Sequence, residues 1–408
     1  MPSVTQMAFE EAVIAGIGET EKSRPSPRND QPAYDLEEYL ARAARLTLAD
    51  AGLDADEVDG LGVARPSVET PYRYPLLLAD ELGFRDLAWI TATDHCGGQA
   101  LPLLAQAAMA VDAGVVETVL CLGADTPKVP GGGSEVFPRD PRGLQRNYKD
   151  PFGVQGTNAE AALVQRRHEA RYGTTPEVLG RIYVAQRRHA AANPLAYLRE
   201  EVDLEAYLAS EPIADPIRLF DCVIPVNAGF GALVTTPERA AELGGDPVSI
   251  AGVGHNHSPS VPRDEPLTTI GMEPAAERAL GMAGLDPREA DVYQLYDDYP
   301  IVVTMEMVEI GLCRPAEAAR FVAETDFGVD GEVPLNTGGG QLCAGQAGVA
   351  GGFLQLVEGI RQLRGEAGDG QVPDAERGIV TGIGGVSANY DGVLAANSVM
   401  VLEREVGA

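Results

Sequence analysis

Residues able to do chemistry gather at three places in this chain. Cys96 stands in Asp94-His95-Cys96-Gly97-Gly98-Gln99, between an apolar run at 87–90 and an alanine-rich stretch at 98–113. A strand that feeds a glycine turn and then a helix exposes backbone N–H groups, and the helix N-terminus adds partial positive charge. A thiol held there is expected to ionise more easily and to serve as a nucleophile. The bland alternative is a small cysteine buried ahead of a tight corner. His95 points to the opposite side from Cys96 in an extended backbone, so it is not the expected base. The second place is basic: eleven of the 31 Lys and Arg residues lie between Arg139 and Arg199, with Arg139, Arg142, Arg146 and Lys149 in one loop-like segment. They are candidates to hold a phosphorylated ligand, or else solvated helix faces paired with glutamates. The third is the pair His255 and His257. No other ligands cluster near it in sequence, so no metal site is expected.

Composition narrows the partners. The formal net charge of −30 argues against nucleic acid, which demands a cationic surface. Lysine is almost absent (Lys22, Lys128 and Lys149), which suits a high-salt interior or arginine-biased coding. Five scattered cysteines without a Cys-x-x-Cys pair point to a reducing compartment rather than a disulfide framework. Residues 9–18 include Glu10 and Glu11 and no basic leader, and no apolar stretch reaches membrane-spanning length. The expected location is cytoplasmic.

The elements that must position these residues alternate. Apolar runs at 12–18, 58–64, 118–123 and 248–253 read as strands, and helical spacing at 36–49 and 75–82 separates them. Asp35 caps the first helix and Gly52 stops it. The alternation predicts a largely parallel sheet covered on both faces. Residues 125–152, rich in glycine and proline, read as a functional loop or the start of an inserted lobe. Thr174 and Glu177 have the spacing of a capping box, opening a helix to about Ala192 that Asn193-Pro194 ends. Residues 217–235 return to strand character, and 254–263 read as a linker.

Then the pattern restarts. Ala51-Gly-Leu-Asp54 with Glu57 and Asp59 returns as Ala283-Gly-Leu-Asp286 with Glu289 and Asp291. Gly97-Gly98-Gln99 returns at nearly the same offset as Gly339-Gly340-Gln341, and the strand at 118–123 has a counterpart at 379–385. Duplication of a whole α/β half explains these echoes.

These residues carry a resemblance to the thiolase superfamily, in particular to sterol-carrier-protein-type thiolases and steroid side-chain aldolases. Its specific stretches are Tyr172-Gly-Thr-Thr-Pro-Glu177 with His189 and Asn193, Leu295-Tyr-Asp-Asp-Tyr299, Leu335-Asn-Thr-Gly-Gly-Gly-Gln341, and Glu358-Gly-Ile-Arg-Gln-Leu-Arg-Gly365. The resemblance implies an α/β thiolase fold: two duplicated βαβαβαββ halves forming a five-layer αβαβα core, with an inserted loop lobe. The expected halves are 1–262, including the lobe at about 125–220, and 263–408.

The same resemblance implies roles. Cys96 falls beside the place of the thiolase nucleophile, although the turn lacks the family's serine. Tyr296 fills an oxyanion-hole position, as a tyrosine does in the aldolases, and Asp298 replaces an acid/base cysteine. Gln346 stands where thiolases have the histidine that activates the nucleophile; an amide can donate to an oxyanion but cannot take a proton near neutral pH. Thr381 occupies the place of a second cysteine.

The leading expectation is therefore an acyl-CoA acyltransferase that makes or breaks a carbon–carbon bond beside a CoA thioester through Cys96. The alternatives are a retro-aldol lyase on β-hydroxyacyl-CoA with no covalent intermediate, and a catalytically weak acyl-CoA-binding scaffold. Coenzyme A is expected as a substrate, with no tightly bound cofactor. A homodimer and a small partner combining a zinc ribbon with an OB-fold are the expected assemblies.

Overall fold

The computed structural model describes residues 9–68, 70, 73–128, 147, 150–154, 156–257, 267–386 and 394–405. In the first part of the chain, β1 (Val13–Glu19), α1 (Leu36–Ala51), β2 (Gly60–Ala64), α2 (Tyr74–Glu81), β3 (Trp89–Thr93), α3 (Ala100–Asp112) and β4 (Thr118–Asp125) follow the expected alternation. A lobe follows, with α4 (Gly156–Tyr172), α5 (Pro176–Ala192), α6 (Leu204–Ala209) and a small hairpin of β5 (Pro212–Ala214) and β6 (Ile217–Arg218). Strand β7 (Ala228–Thr235) and α7 (Pro237–Leu243) return to the core. The remainder holds β8 (Val248–His257), α8 (Glu273–Ala283), β9 (Val292–Gln294), α9 (Pro300–Glu309), α10 (Ala318–Glu324), α11 (Gly352–Leu363), β10 (Arg377–Val386) and β11 (Leu394–Arg404).

Nine strands form one sheet in the order β3-β2-β4-β7-β1-β8-β11-β10-β9. It is mixed rather than largely parallel. Only the flanks β3-β2-β4 and β10-β9 are parallel, because β7 and β11 enter each half antiparallel to their neighbours. Helices α3 and α11 pack on each other and on strands from both ends of the sheet, while α1 covers β1, β4 and β7 and α8 covers β8 and β11. Helix, sheet, helix, sheet and helix thus stack as five layers. The close approaches need glycine: a Cβ on Gly18 would lie 2.8 Å from the Ala43 carbonyl oxygen of α1, and one on Gly254 would lie 1.9 Å from that of Ala275 in α8.

The echo of residues 51–59 at 283–291 is an equivalent structure, whereas the glycine-glycine-glutamine echo is not. Residues 97–99 run straight into α3, while Gly339 and Gly340 are left-handed, with φ of 99° and 60°, and α11 begins only at Gly352. Gly52 and Gly284 both end a helix in the left-handed conformation, with φ of 72° and 61°. Asp59 then accepts from the N–H groups of Glu117 and Thr118 at the start of β4, as Asp291 accepts from those of Glu376 and Arg377 at the start of β10. The counterpart of β3 is reduced to one parallel bridge between Leu335 and Tyr293.

Two local expectations change. Residues 254–257 are the end of β8, which pairs along its length with β11 and through only two residue pairs with β1. The helix cap falls at Thr175, because the Thr174 hydroxyl is engaged at 2.8 Å by His168 Nδ1. Residues 129–146 lie outside the described residues.

Candidate active site

The connection from β9 to α9 carries Tyr296, Asp297 and Asp298. Asp297 is an anchor. Fully buried, it accepts from the N–H groups of Gln341 (2.8 Å) and Leu342 (3.0 Å) and from the side-chain amides of Gln186 (2.8 Å) and Gln355 (2.7 Å). Burial nonetheless pushes its carboxyl up to about 7. Tyr296 is pinned through its backbone: its N–H donates to Thr381 Oγ1 (2.8 Å) and Glu306 Oε2 (3.1 Å), and the Thr381 hydroxyl donates to the same Glu306 oxygen. Glu306 is fully buried, and burial holds its carboxyl well above the ordinary range. Burial also raises the Tyr296 phenol, with Asp298 and Cys96 pushing the same way, so this hydroxyl stays protonated and can donate.

The Tyr296 hydroxyl lies against the Cys96 turn. A Cβ on Gly97 would fall 1.8 Å from that oxygen and 2.9 Å from the Ile383 carbonyl oxygen. The turn is braced elsewhere by Gln99, whose side-chain amide donates to the carbonyls of Arg65 (2.8 Å) and Val349 (3.2 Å). Cys96 itself is exposed, in a short 3-10 turn ahead of α3, with φ of 48°, a conformation uncommon outside glycine. Its thiol does not become more acidic. Desolvation, then the nearby Asp94 carboxylate, push it above its ordinary value, which corrects the expectation drawn from the helix N-terminus alone. The His95 ring is turned onto His257, with centroids 4.7 Å apart, and His257 stacks in turn on His255 at 5.9 Å.

Gln346 faces Asp298. Its backbone is held by 224–226, with Gln346 N–H to the Ile224 carbonyl (2.8 Å) and Val226 N–H to the Gln346 carbonyl (2.9 Å). Its amide then donates to Asp298 Oδ1 at 2.5 Å. Asp298 is half-buried, and desolvation raises its carboxyl to about 7 against the lowering effect of Gln346. A carboxyl in this range can exchange a proton near neutral pH. The loop after Gln346 returns to the Cys96 turn, since a Cβ on Gly352 would lie 2.4 Å from the Gly97 carbonyl oxygen.

Cys96, Tyr296, Asp298 and Gln346 thus converge on one place. Arg139, Arg142, Arg146 and Lys149 lie outside the described residues. His189 in α5 and Asn193 just past its end support the site, contacting the carbonyls of Asn336 (3.3 Å) and Gly338 (2.9 Å). Sequence reasoning gave no role to Glu306, a lone acid inside the apolar run 300–308, and that isolation was the available signal. The closeness of Gly97 to the phenol makes one test direct. Gly97→Ala is expected to displace the Tyr296 hydroxyl and cut kcat by about 10²-fold, as loss of one preorganised donor does, read by steady-state kinetics beside circular dichroism.

Residues 252–404 match the family model described as thiolase C-terminal domain-like. The chain is 31% identical over 369 residues to a 17-hydroxy-3-oxo-4-pregnene-20-carboxyl-CoA lyase of Mycobacterium tuberculosis, covering 87% of this chain and 92% of the relative. It is 30% identical over 366 residues to a steroid side-chain-cleaving aldolase of Thermomonospora curvata, covering 87% and 90%. The solved structure of an Ltp2-ChsH2(DUF35) aldolase superposes with a TM-score of 0.84 at 28% identity, covering 99% of this chain and all (100%) of that one. The chain belongs to the thiolase superfamily of enzymes, in the branch that holds the sterol-carrier-protein-type thiolases and steroid side-chain-cleaving aldolases. Among the described residues, no helix is long and apolar enough to cross a membrane.

Proposed function

We propose that this protein is a retro-aldol lyase acting on a β-hydroxyacyl-CoA thioester. The observation that carries the reading is the Tyr296 hydroxyl set against the Cys96 turn, with the Asp298 carboxyl held by the Gln346 amide and raised by desolvation to about 7. Asp298 takes the proton of the β-hydroxyl. The β-carbon becomes a carbonyl as the bond between the α- and β-carbons breaks, and the electron pair passes to the thioester oxygen as an enolate. Tyr296 donates a hydrogen bond to the developing oxyanion, and protonation of the α-carbon gives the shortened acyl-CoA. Gln346 orients Asp298 and keeps part of it ionised. Coenzyme A enters as part of the substrate, and the chemistry needs no tightly bound cofactor. The solved Ltp2-ChsH2(DUF35) aldolase supports a partner protein here as well. A small zinc-ribbon and OB-fold protein is the partner proposed, on a homodimer of this chain.

A second reading, acyl transfer through Cys96, is favoured by the exposed thiol at a left-handed corner. One experiment separates them: intact-protein mass spectrometry after mixing with acyl-CoA thioesters, alongside cleavage assays of Cys96→Ala. The lyase predicts no acyl adduct on Cys96 and a Cys96→Ala rate within about tenfold of the parent, under ~1.4 kcal/mol of barrier. An adduct mapped to Cys96 with loss of turnover in Cys96→Ala establishes acyl transfer instead.

A further inference from the structure

Two cations of this acidic chain stand together without an acid among the described residues. Arg24 uses its backbone for local bonds, its N–H to Gln31 Oε1 (2.6 Å) and its carbonyl to Asn29 Nδ2 (3.1 Å), while its buried Nε has no partner. Lys128 has its backbone N–H and carbonyl clasped by the Asn227 side-chain amide at 2.8 and 2.7 Å. Asn227 in turn pairs through its backbone with Ser23, at 3.0 and 2.7 Å. Residues 24 and 128 are therefore held on either side of Asn227. Both side chains are half-buried, and among the described residues neither is joined to a carboxylate. Lys22, two residues before Arg24, shows the contrast: its Nζ is ion-paired with Glu19 and donates to the Leu195 carbonyl at 3.0 Å. The Lys128 ammonium is held below its ordinary value, first by desolvation and then by the Arg24 charge. Like charges drawn partly out of water cost free energy until an anion joins them.

Their place in the fold says which anion. Strands β1 and β4 are both antiparallel to β7 and so parallel to each other, and β4 is parallel to β2, as β2 is to β3. The segments following β1 and β4, which carry Arg24 and Lys128, therefore leave the same edge as the Cys96 turn after β3. Ligands of α/β sheets sit beyond that edge. A short path of contacts joins the two places: Asp125, the last residue of β4, accepts from Val349 N–H (3.0 Å), and the Val349 carbonyl accepts from Gln99 (3.2 Å).

We infer that Arg24 and Lys128 form an anion subsite that takes a phosphate group of the CoA-linked substrate. A phosphate offers several strong acceptor oxygens, matching the guanidinium fork of Arg24 and the point charge of Lys128. The inference rests on the CoA-thioester reading above, so its test separates the two. Isothermal titration would compare CoA with phosphate-free pantetheine for the full chain, Arg24→Ala and Lys128→Met, and thermal melting would follow added 3′,5′-ADP and inorganic phosphate. Lys128→Met keeps the aliphatic stem and the backbone bonds to Asn227, so it guards against a folding failure in Arg24→Ala. The ratio of CoA to pantetheine affinity is expected to fall at least about tenfold in each variant, and the rise in Tm with 3′,5′-ADP to disappear. Unchanged ratios in both variants overturn the subsite, as does a parent protein that responds to neither phosphate compound. A parent stabilised by phosphate through Arg24 and Lys128 that does not bind CoA keeps the subsite and overturns the CoA reading.

Discussion

Replacing Tyr296 with phenylalanine is expected to lower kcat for carbon–carbon cleavage by about 10²- to 10³-fold, with Tm within a few degrees of the parent. The ring fills buried space, at 2% exposure, and phenylalanine keeps that packing. The backbone bonds to Thr381 and Glu306 do not depend on the side chain. What disappears is the one hydroxyl set against Gly97. A group whose work is done only as negative charge develops should leave KM nearly unchanged while kcat falls. A Tyr296→Phe enzyme with parental kcat would remove the phenol from the mechanism.

The second large effect belongs to Asp298. Asp298→Asn keeps the shape and removes the proton acceptor, and the expected loss in kcat/KM is about 10²- to 10⁴-fold. The parent should show an acidic limb. A base works only when deprotonated, and this carboxyl lies near 7, so activity should rise with pH through that region and then level. Gln346→Ala moves the limb in a known direction. The amide donates to the ionised form and lowers the pKa, so its loss should carry the limb to higher pH. Asp297 also lies near 7, and neighbouring carboxyls titrate together. It is fully buried under four donors, however, so the residue that meets substrate is Asp298. A limb unmoved in Gln346→Ala would break the link between the amide and the base.

The fold was legible where burial left a clean pattern. Strands β1 and β4 are buried along their whole length and read as unbroken apolar runs. Strand β8 was cut short at Val253, because its end, Gly254-His-Asn-His257, is polar and only partly covered. Helix α4 escaped because its buried face is half polar: Ala161, Ala162, Gln165 and His168 share one side of the helix. The residues of the site were legible because turns and short motifs keep their spacing. Their chemistry was less so. The acidity of Cys96 depends first on burial, and the support of Tyr296 comes from Thr381, far along the chain. Such effects arise only when distant segments meet.

The strand order has a consequence for how the chain is made. Strand β1 sits near the middle of the sheet, yet it pairs with β7, so a nascent chain must reach Thr235 before its first strand gains a main neighbour. Strand β11, the last of the described strands to leave the ribosome, inserts between β8 and β10 rather than adding at an edge. Until residues 394–404 emerge, both of those strands carry an open hydrogen-bonding edge in the interior of the future sheet. Emergence of β11 therefore closes a gap, and the intermediate that precedes it is the form most open to chaperone capture or to pairing with a second nascent chain.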